Sequence, residues 1–284
     1  SLCQDVQGET FDYPEEFFKE RIHNIRRPRP DDFQIKQAVE KIKNSKKPII
    51  ISGGGVFYSD AMDELGNFAA KHNIPVTQTV MGYSTMKKDH SHFVGPIGGL
   101  GGKAANNLAK ETDLAICIGT KLADFTTGSW ANFENPEFKL VSINIARHDA
   151  NKHLAEAVIG DAKVSLIELS NALGDWRSSD SWHKKSQDEL KSWNEYVDKE
   201  SGPTNQDLPS YAHAVGAIYR NSDPTDIAVT AAGGLVGEVV QVWRPKELNT
   251  HETEWGFSCM SYEISGALGI KMANPDKDVI AFVG

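Results

Sequence analysis

The chain has 284 residues, 39% of them hydrophobic and 24% charged, and carries a net charge of −9. These values describe an ordinary globular protein with room for two domains, and so acidic a chain is excluded as a nucleic-acid binder because it cannot neutralise a phosphate backbone. No apolar run reaches the roughly 18 residues that would span a membrane, and no basic-then-apolar leader opens the chain. The three cysteines, Cys3, Cys117 and Cys259, show no CxxC spacing. This argues against a zinc site or a disulfide framework and favours a reducing, cytoplasmic setting.

In chain order, residues 1–30 read as a linker from a preceding domain. Leu2-Cys3 resembles the tail of a strand, Gln4 to Glu9 a turn out of it, and the Arg26-Arg27-Pro28-Arg29 run a solvated connector. From 31 to 175 strands and helices alternate. Asp31-Asp32 caps a helix whose apolar face is Phe33, Val39 and Ile42. A strand over 47–52 ends in Gly53-Gly54-Gly55, a helix spans roughly 60–72, and further apolar strands follow at 74–79, 114–119, 140–145 and 157–160. Continuous apolar runs separated by helices predict a doubly wound parallel sheet covered on both faces.

Residues 176–209 read as a helical bridge, with Trp182, Leu190, Trp193 and Val197 on one face, followed by a polar linker. Residues 210–284 read as a second α/β unit. It has a helix over 209–220, a strand over 226–230, the Gly233-Gly234 turn, a helix through Trp243, and a last strand that runs to Gly284 with no helix to return on. The fold class is therefore α/β, with a doubly wound parallel-sheet middle domain and an incomplete second α/β domain.

Five features invite a chemical reading. Gly53-Gly54-Gly55 follows a strand, as a phosphate-cradling loop does, but it is not the GxGxxG fingerprint and the gap before the next helix is long, so a tight strand-to-helix turn is the better explanation. Gly98 to Lys103 lacks the Walker A spacing and reads as close helix packing or a mobile loop. Ser258-Cys259-Met260-Ser261-Tyr262-Glu263 precedes a helix of small residues, and on composition alone Met260 is a core filler. The histidines show no metal-ligand pairing, and Cys117, inside an apolar strand, is an inert thiol.

The segment Trp255 to Gly266, continuing to Lys271, resembles the cofactor domain of thiamine-diphosphate (ThDP) enzymes, and most closely the trihydroxycyclohexane-1,2-dione hydrolase family of inositol breakdown. Gln4 to Glu9 with Tyr13 resembles that family's exit from its pyrimidine-binding domain. Lys46-Lys47-Pro48 with Gly53-Gly54-Gly55, and Gly119-Thr120 with Asp124-Phe125, resemble its middle domain. The middle-domain motifs also suit acetolactate synthase-type carboligases and decarboxylases acting on 2-oxo acids. A stand-alone nucleotide-binding regulatory module is the alternative from a different class.

The resemblance implies that Met260 wedges beneath the cofactor and bends it. It further implies that the Ser258 carbonyl and the Met260 N–H meet the pyrimidine, with Cys259 between them, and that Gly233, Gly234 and Leu235 approach the diphosphate. It leads us to expect glycine after the methionine, where this chain has Ser261. Mg²⁺, its Asp and Asn ligands, and the glutamate that activates the pyrimidine belong to parts of the family pattern beyond Gly284 or before Ser1. The resemblance therefore implies a piece of a homo-oligomeric enzyme that takes a small cyclic dione. These 284 residues alone are expected to hold neither ThDP nor Mg²⁺, to contribute no catalytic residue, and to be inactive.

Overall fold

The computed structural model describes residues 3–284. Of the expected strand tail, Leu2 lies outside the described residues. Gln4–Gln7, expected as a turn, form a single helical turn, α1. Every residue from Cys3 to Arg26 is exposed, and the chain docks on the body of the protein over residues 27–30, where the Pro28 carbonyl accepts the Asp161 N–H at 2.9 Å and Pro30 is buried. The Arg27 guanidinium lies 3.1 Å from the Asp161 carboxylate, and Arg29 pairs with Glu168. These two arginines are docked, whereas composition suggested a wholly solvated run.

Helix α2 (Asp32–Asn44) starts on Asp31, whose carboxylate accepts the Gln34 N–H at 2.9 Å. Its buried face is Ile35, Ala38 and Ile42. Phe33, expected on that face, is 70% exposed, because it lies two residues before Ile35 and so nearly opposite on the helical wheel. Strand β1 (Pro48–Ser52) is fully buried. The expected long gap after it is absent, since helix α3 (Gly54–Tyr58) begins at once and is followed by α4 (Met62–His72). Next come β2 (Val76–Gln78), β3 (Phe93–Pro96), α5 (Lys103–Glu111), β4 (Leu114–Ile118) and the single turn α6 (Asp124–Thr127). Then follow β5 (Lys139–Asn144), the single turn α7 (Arg147–Ala150), β6 (Glu156–Ile159) and α8 (Ala162–Leu173).

The six strands are all parallel, in the order β3-β2-β1-β4-β5-β6. The order reverses between β1 and β4, the point in such sheets where a crevice opens beyond the carboxyl ends of the strands. One face buries Ile50, Leu65, Phe68, Ile116 and Leu166, and the other buries Ile49, Ile51, Val94, Leu108 and Trp182. Both faces are covered, as continuous apolar strands require.

Helix α9 (Asp180–Glu200) is shared by two cores. At its start the Trp182 indole N–H donates to the Pro48 carbonyl at 2.9 Å. At its end Val197 packs with Val215, Tyr219 and Trp243. The second unit comprises α10 (Tyr211–Asn221), β7 (Ile227–Thr230), α11 (Leu235–Val242), β8 (His251–Thr253), α12 (Tyr262–Ala273) and β9 (Val279–Ala281). Its three parallel strands run in the order β8-β7-β9. Backbone hydrogen bonds tie the two units together: Lys88 N–H to the Pro245 carbonyl at 2.8 Å, and Asn249 N–H to the Ser84 carbonyl at 3.2 Å. No helix among the described residues is long and apolar enough to cross a membrane.

Candidate functional site

The carboxyl ends of β1 and β4 touch through glycines. Gly53 N–H donates to Ile118 and Gly55 N–H to Gly119, at 2.8 and 2.9 Å. A Cβ on Gly55 would lie 2.5 Å from the Gly119 Cα, and Gly119 itself has φ +62°. Only glycine permits two backbones to approach so closely. The Gly53-Gly54-Gly55 stretch is therefore accounted for by loop-on-loop packing, with no phosphate needed. Beside it lies a cavity of about 300 Å³ whose walls include Tyr58, Thr120, Phe125, Asn144 and Trp255.

The Gly98 loop is also closed, because the Asn106 side-chain amide both accepts from Gly98 N–H and donates to the Gly98 carbonyl, each at 3.0 Å. Close packing is thus what those glycines serve. Cys117 is fully buried, and burial pushes its thiol far up, so it has no nucleophilic form to offer.

The resemblance-derived residues sit on the carboxyl edge of the smaller sheet. After β7, Gly233 adopts φ +97°, and a Cβ there would lie 3.6 Å from the Gly284 carbonyl oxygen; a Cβ on Gly234 would meet nothing within 4 Å. Leu235 then opens α11, and its Cβ lies 3.1 Å from where one on Gly284 would stand. The Gly233–Leu235 turn and Gly284 are thus brought together, at the ends of neighbouring strands, in an open surface.

After β8, on the other side of β7, comes the loop of Ser258, Cys259 and Met260. All three are exposed, Met260 by 82% and the preceding Phe257 by 92%. The core-filler explanation of Met260 is thereby overturned: the loop turns outward at the strand end, where no apolar layer covers it. Ser258 has φ +53° and Ser261 φ +74°, both left-handed. A left-handed backbone at Ser261 is a physical reason for glycine to be favoured there.

Sequence reasoning passed over Glu254. Its carboxylate accepts the N–H groups of Phe257 at 2.8 Å and Cys259 at 2.5 Å. These bonds, that to Cys259 foremost, hold the carboxyl below its usual range. The available signal was an acid just past a strand and two residues before Gly256, a spacing suited to a side chain that caps its own loop. Glu263, in the first turn of α12, is 2% exposed and has one oxygen with no partner. Glu252 on β8 is half-buried, and burial raises its carboxyl pKa.

Residues 35–169 match the family described as thiamine pyrophosphate enzyme, central domain, and residues 231–284 match thiamine pyrophosphate enzyme, C-terminal TPP binding domain. All of the chain aligns with proteins named 3D-(3,5/4)-trihydroxycyclohexane-1,2-dione hydrolase. Identity is 39% to that of Bacillus anthracis, covering 48% of its length. It is 38% to those of Geobacillus thermodenitrificans and Clostridium perfringens, covering 47% and 48% of theirs. The chain spans about half the length of these relatives.

Proposed function

The chain belongs to the thiamine pyrophosphate enzymes, and from that premise we propose that it forms part of a ThDP-dependent hydrolase that cleaves a C–C bond of an inositol-derived cyclic 1,2-dione. Residues 31–175 serve as the middle domain and 210–284 as part of the cofactor-binding domain, joined by α9 and the linker after it. One observation carries this reading: the Ser258–Met260 loop and the Gly233–Leu235 turn both leave the carboxyl edge of one parallel sheet, and both stand open.

The residues fit the organic part of the cofactor. Met260 is an exposed, unbranched apolar side chain free to lie against a ring, and Gly234 leaves space for a bulky anion to approach backbone N–H groups. For Mg²⁺ the fit is absent: among the described residues no group of three or more His, Cys, Asp or Glu side chains could hold a metal ion.

When bound, ThDP supplies a carbon nucleophile able to attack a carbonyl. This chain's part is placement. The Ser258 carbonyl and Met260 N–H would hold the pyrimidine, the Met260 side chain would support the cofactor, and Gly233 and Gly234 would admit the diphosphate. The setting is proposed as cytoplasmic, and the enzyme as a homo-oligomer.

The test is calorimetric titration with ThDP and Mg²⁺, coupled to assay on the trihydroxycyclohexane-1,2-dione, of the longer protein to which these residues are assigned. Saturable ThDP binding with ring opening of the dione supports the reading. ThDP binding with carboligation of 2-oxo acids instead would keep the cofactor and overturn the substrate, while absence of ThDP binding would overturn both.

A further inference from the structure

The loop that presents Met260 has almost nothing to hold it in place. Residues 256 to 261 are all exposed, so apolar burial, the usual source of loop order, contributes little. Two of these residues, Ser258 and Ser261, nonetheless hold left-handed backbone without being glycine. Such conformations cost free energy and persist only where neighbouring contacts over-determine them.

The contacts available are few. Within the loop the backbone gives Tyr262 N–H to the Cys259 carbonyl and Ile264 N–H to the Ser261 carbonyl, both long at 3.3 Å. Glu254 provides the short ones, with one oxygen on Phe257 N–H and the other on Cys259 N–H. The two donors flank Ser258, so a single carboxylate spans the residue whose backbone is strained. Hydrogen bonds to an ionised acceptor are about twice as strong as neutral ones. Glu254 follows directly on β8, whose Thr253 is buried and paired in register with Thr230 of β7. It therefore ties the position of a paired strand to a loop with few other contacts.

We propose that Glu254 is a positioning residue for the cofactor: its carboxylate fixes the Ser258–Met260 loop in the binding conformation before the ligand arrives. This rests on the ThDP reading given above. The carboxylate touches neither cofactor nor substrate in this role. It lowers the ordering cost of binding, because a preformed loop loses less freedom when its ligand arrives.

Two variants and two readouts test it on the longer protein. Amide hydrogen exchange at Phe257 and Cys259 is expected to accelerate at least about tenfold in Glu254→Ala, the equivalent of losing one charge-assisted hydrogen bond, with β7 and β8 amides unchanged. The dissociation constant for ThDP is expected to rise by about the same factor. Glu254→Gln fills the same space with one neutral acceptor in place of two anionic ones and is expected to recover only part of both effects, whereas a merely space-filling role would be restored in full. Unchanged exchange in Glu254→Ala, or faster exchange with unchanged ThDP affinity, would overturn the positioning role and leave the cofactor reading standing. A wild-type protein with slow exchange at both amides but no ThDP binding would overturn the cofactor reading and this role with it.

Discussion

The two α/β units of this chain bury their sheets differently. The six-stranded unit is sealed on both faces by its own helices, α2, α4 and α8 on one side and α5 and α9 on the other. The three-stranded unit has an apolar core where α10, α11 and the end of α9 meet, and α11 also packs Val236 and Val240 against Val80 of the larger unit. Along α12 and the loop before it runs a stripe of exposed apolar residues, Met260 in the loop and Ile264, Leu268 and Met272 on the helix, each at least 62% accessible. The first unit spends its hydrophobic sequence on stability. The second leaves it at the surface, beside the loops assigned to the cofactor. Residues of the same chemical type therefore have different consequences, and substitution can separate them.

The largest effect belongs in the sealed unit. Phe68, on α4, is 2% exposed and packs with Leu65 and His72 against the sheet. Phe68→Ala should cost about 3–5 kcal/mol, as truncation of a buried aromatic does. The check is urea unfolding followed by circular dichroism. A loss below about 1 kcal/mol, far under the range for a buried aromatic, would mean that this core relaxes as readily as a surface, and the contrast between the units would fail.

The second effect lies at the junction. His251 on β8 is buried, with its ring edge-on to Tyr83 at 5.3 Å, and burial pushes its pKa down to about 4. His92, stacked on His183 at 4.3 Å, is also pushed down to about 4, by burial first and then by its histidine neighbours. Each is neutral when folded, while the unfolded chain takes up the proton at the ordinary histidine value of 6.5. Between pH 6.5 and 4 the unfolded state therefore binds more protons, and stability falls as pH falls. His251 should contribute about 3 kcal/mol to that loss. Urea midpoints measured across this window in His251→Phe, which keeps a ring against Tyr83, should fall less steeply than in wild type. Equal slopes would remove His251 from the cause.

The sequence already carried much of the large sheet and little of the site. β1, β4 and β5 are legible because Ile49-Ile50-Ile51, Leu114 to Ile118 and Leu140 to Ile143 are continuous apolar runs with no competing signal. β3 escaped because its four residues include Gly95, at φ +103°, and Pro96, and its pairing to β2 shifts register between Val76 and Thr77. Helix α3 escaped because it opens on Gly54-Gly55, poor helix formers, which are placed there by contact with Gly119, distant in sequence. The Ser258–Met260 loop was legible only through resemblance, since exposure depends on what the rest of the chain fails to cover. The part played by Glu254 depends on backbone N–H directions, at which its place just past a strand and two residues before Gly256 only hints.

A smaller effect probes the strained loop. Ser261, at φ +74° and N-terminal to α12, is left-handed without being glycine. Ser261→Gly removes the strain of Cβ against backbone but adds freedom to the unfolded chain, so a net gain of about 0.5–1 kcal/mol is expected. Thermal unfolding should show a rise in midpoint, and a fall would mean that the Ser261 side chain supports the loop.

The smallest effect is the most discriminating for the comparison. Leu268, on α12, is 62% exposed. Leu268→Ala removes side-chain carbons that already face water, and Ala is at least as good a helix former, so stability should change by no more than about 0.5 kcal/mol. The same chemical change at Leu65, which is fully buried, should cost about 2–5 kcal/mol. Chemical denaturation at two protein concentrations tenfold apart decides what the stripe does in solution. A small, concentration-independent effect at Leu268 means that the stripe faces solvent as the structure has it. A cost of 2 kcal/mol or more that grows with concentration would mean that copies of the chain cover it. The second unit would then be sealed like the first, by a neighbour in place of its own helices.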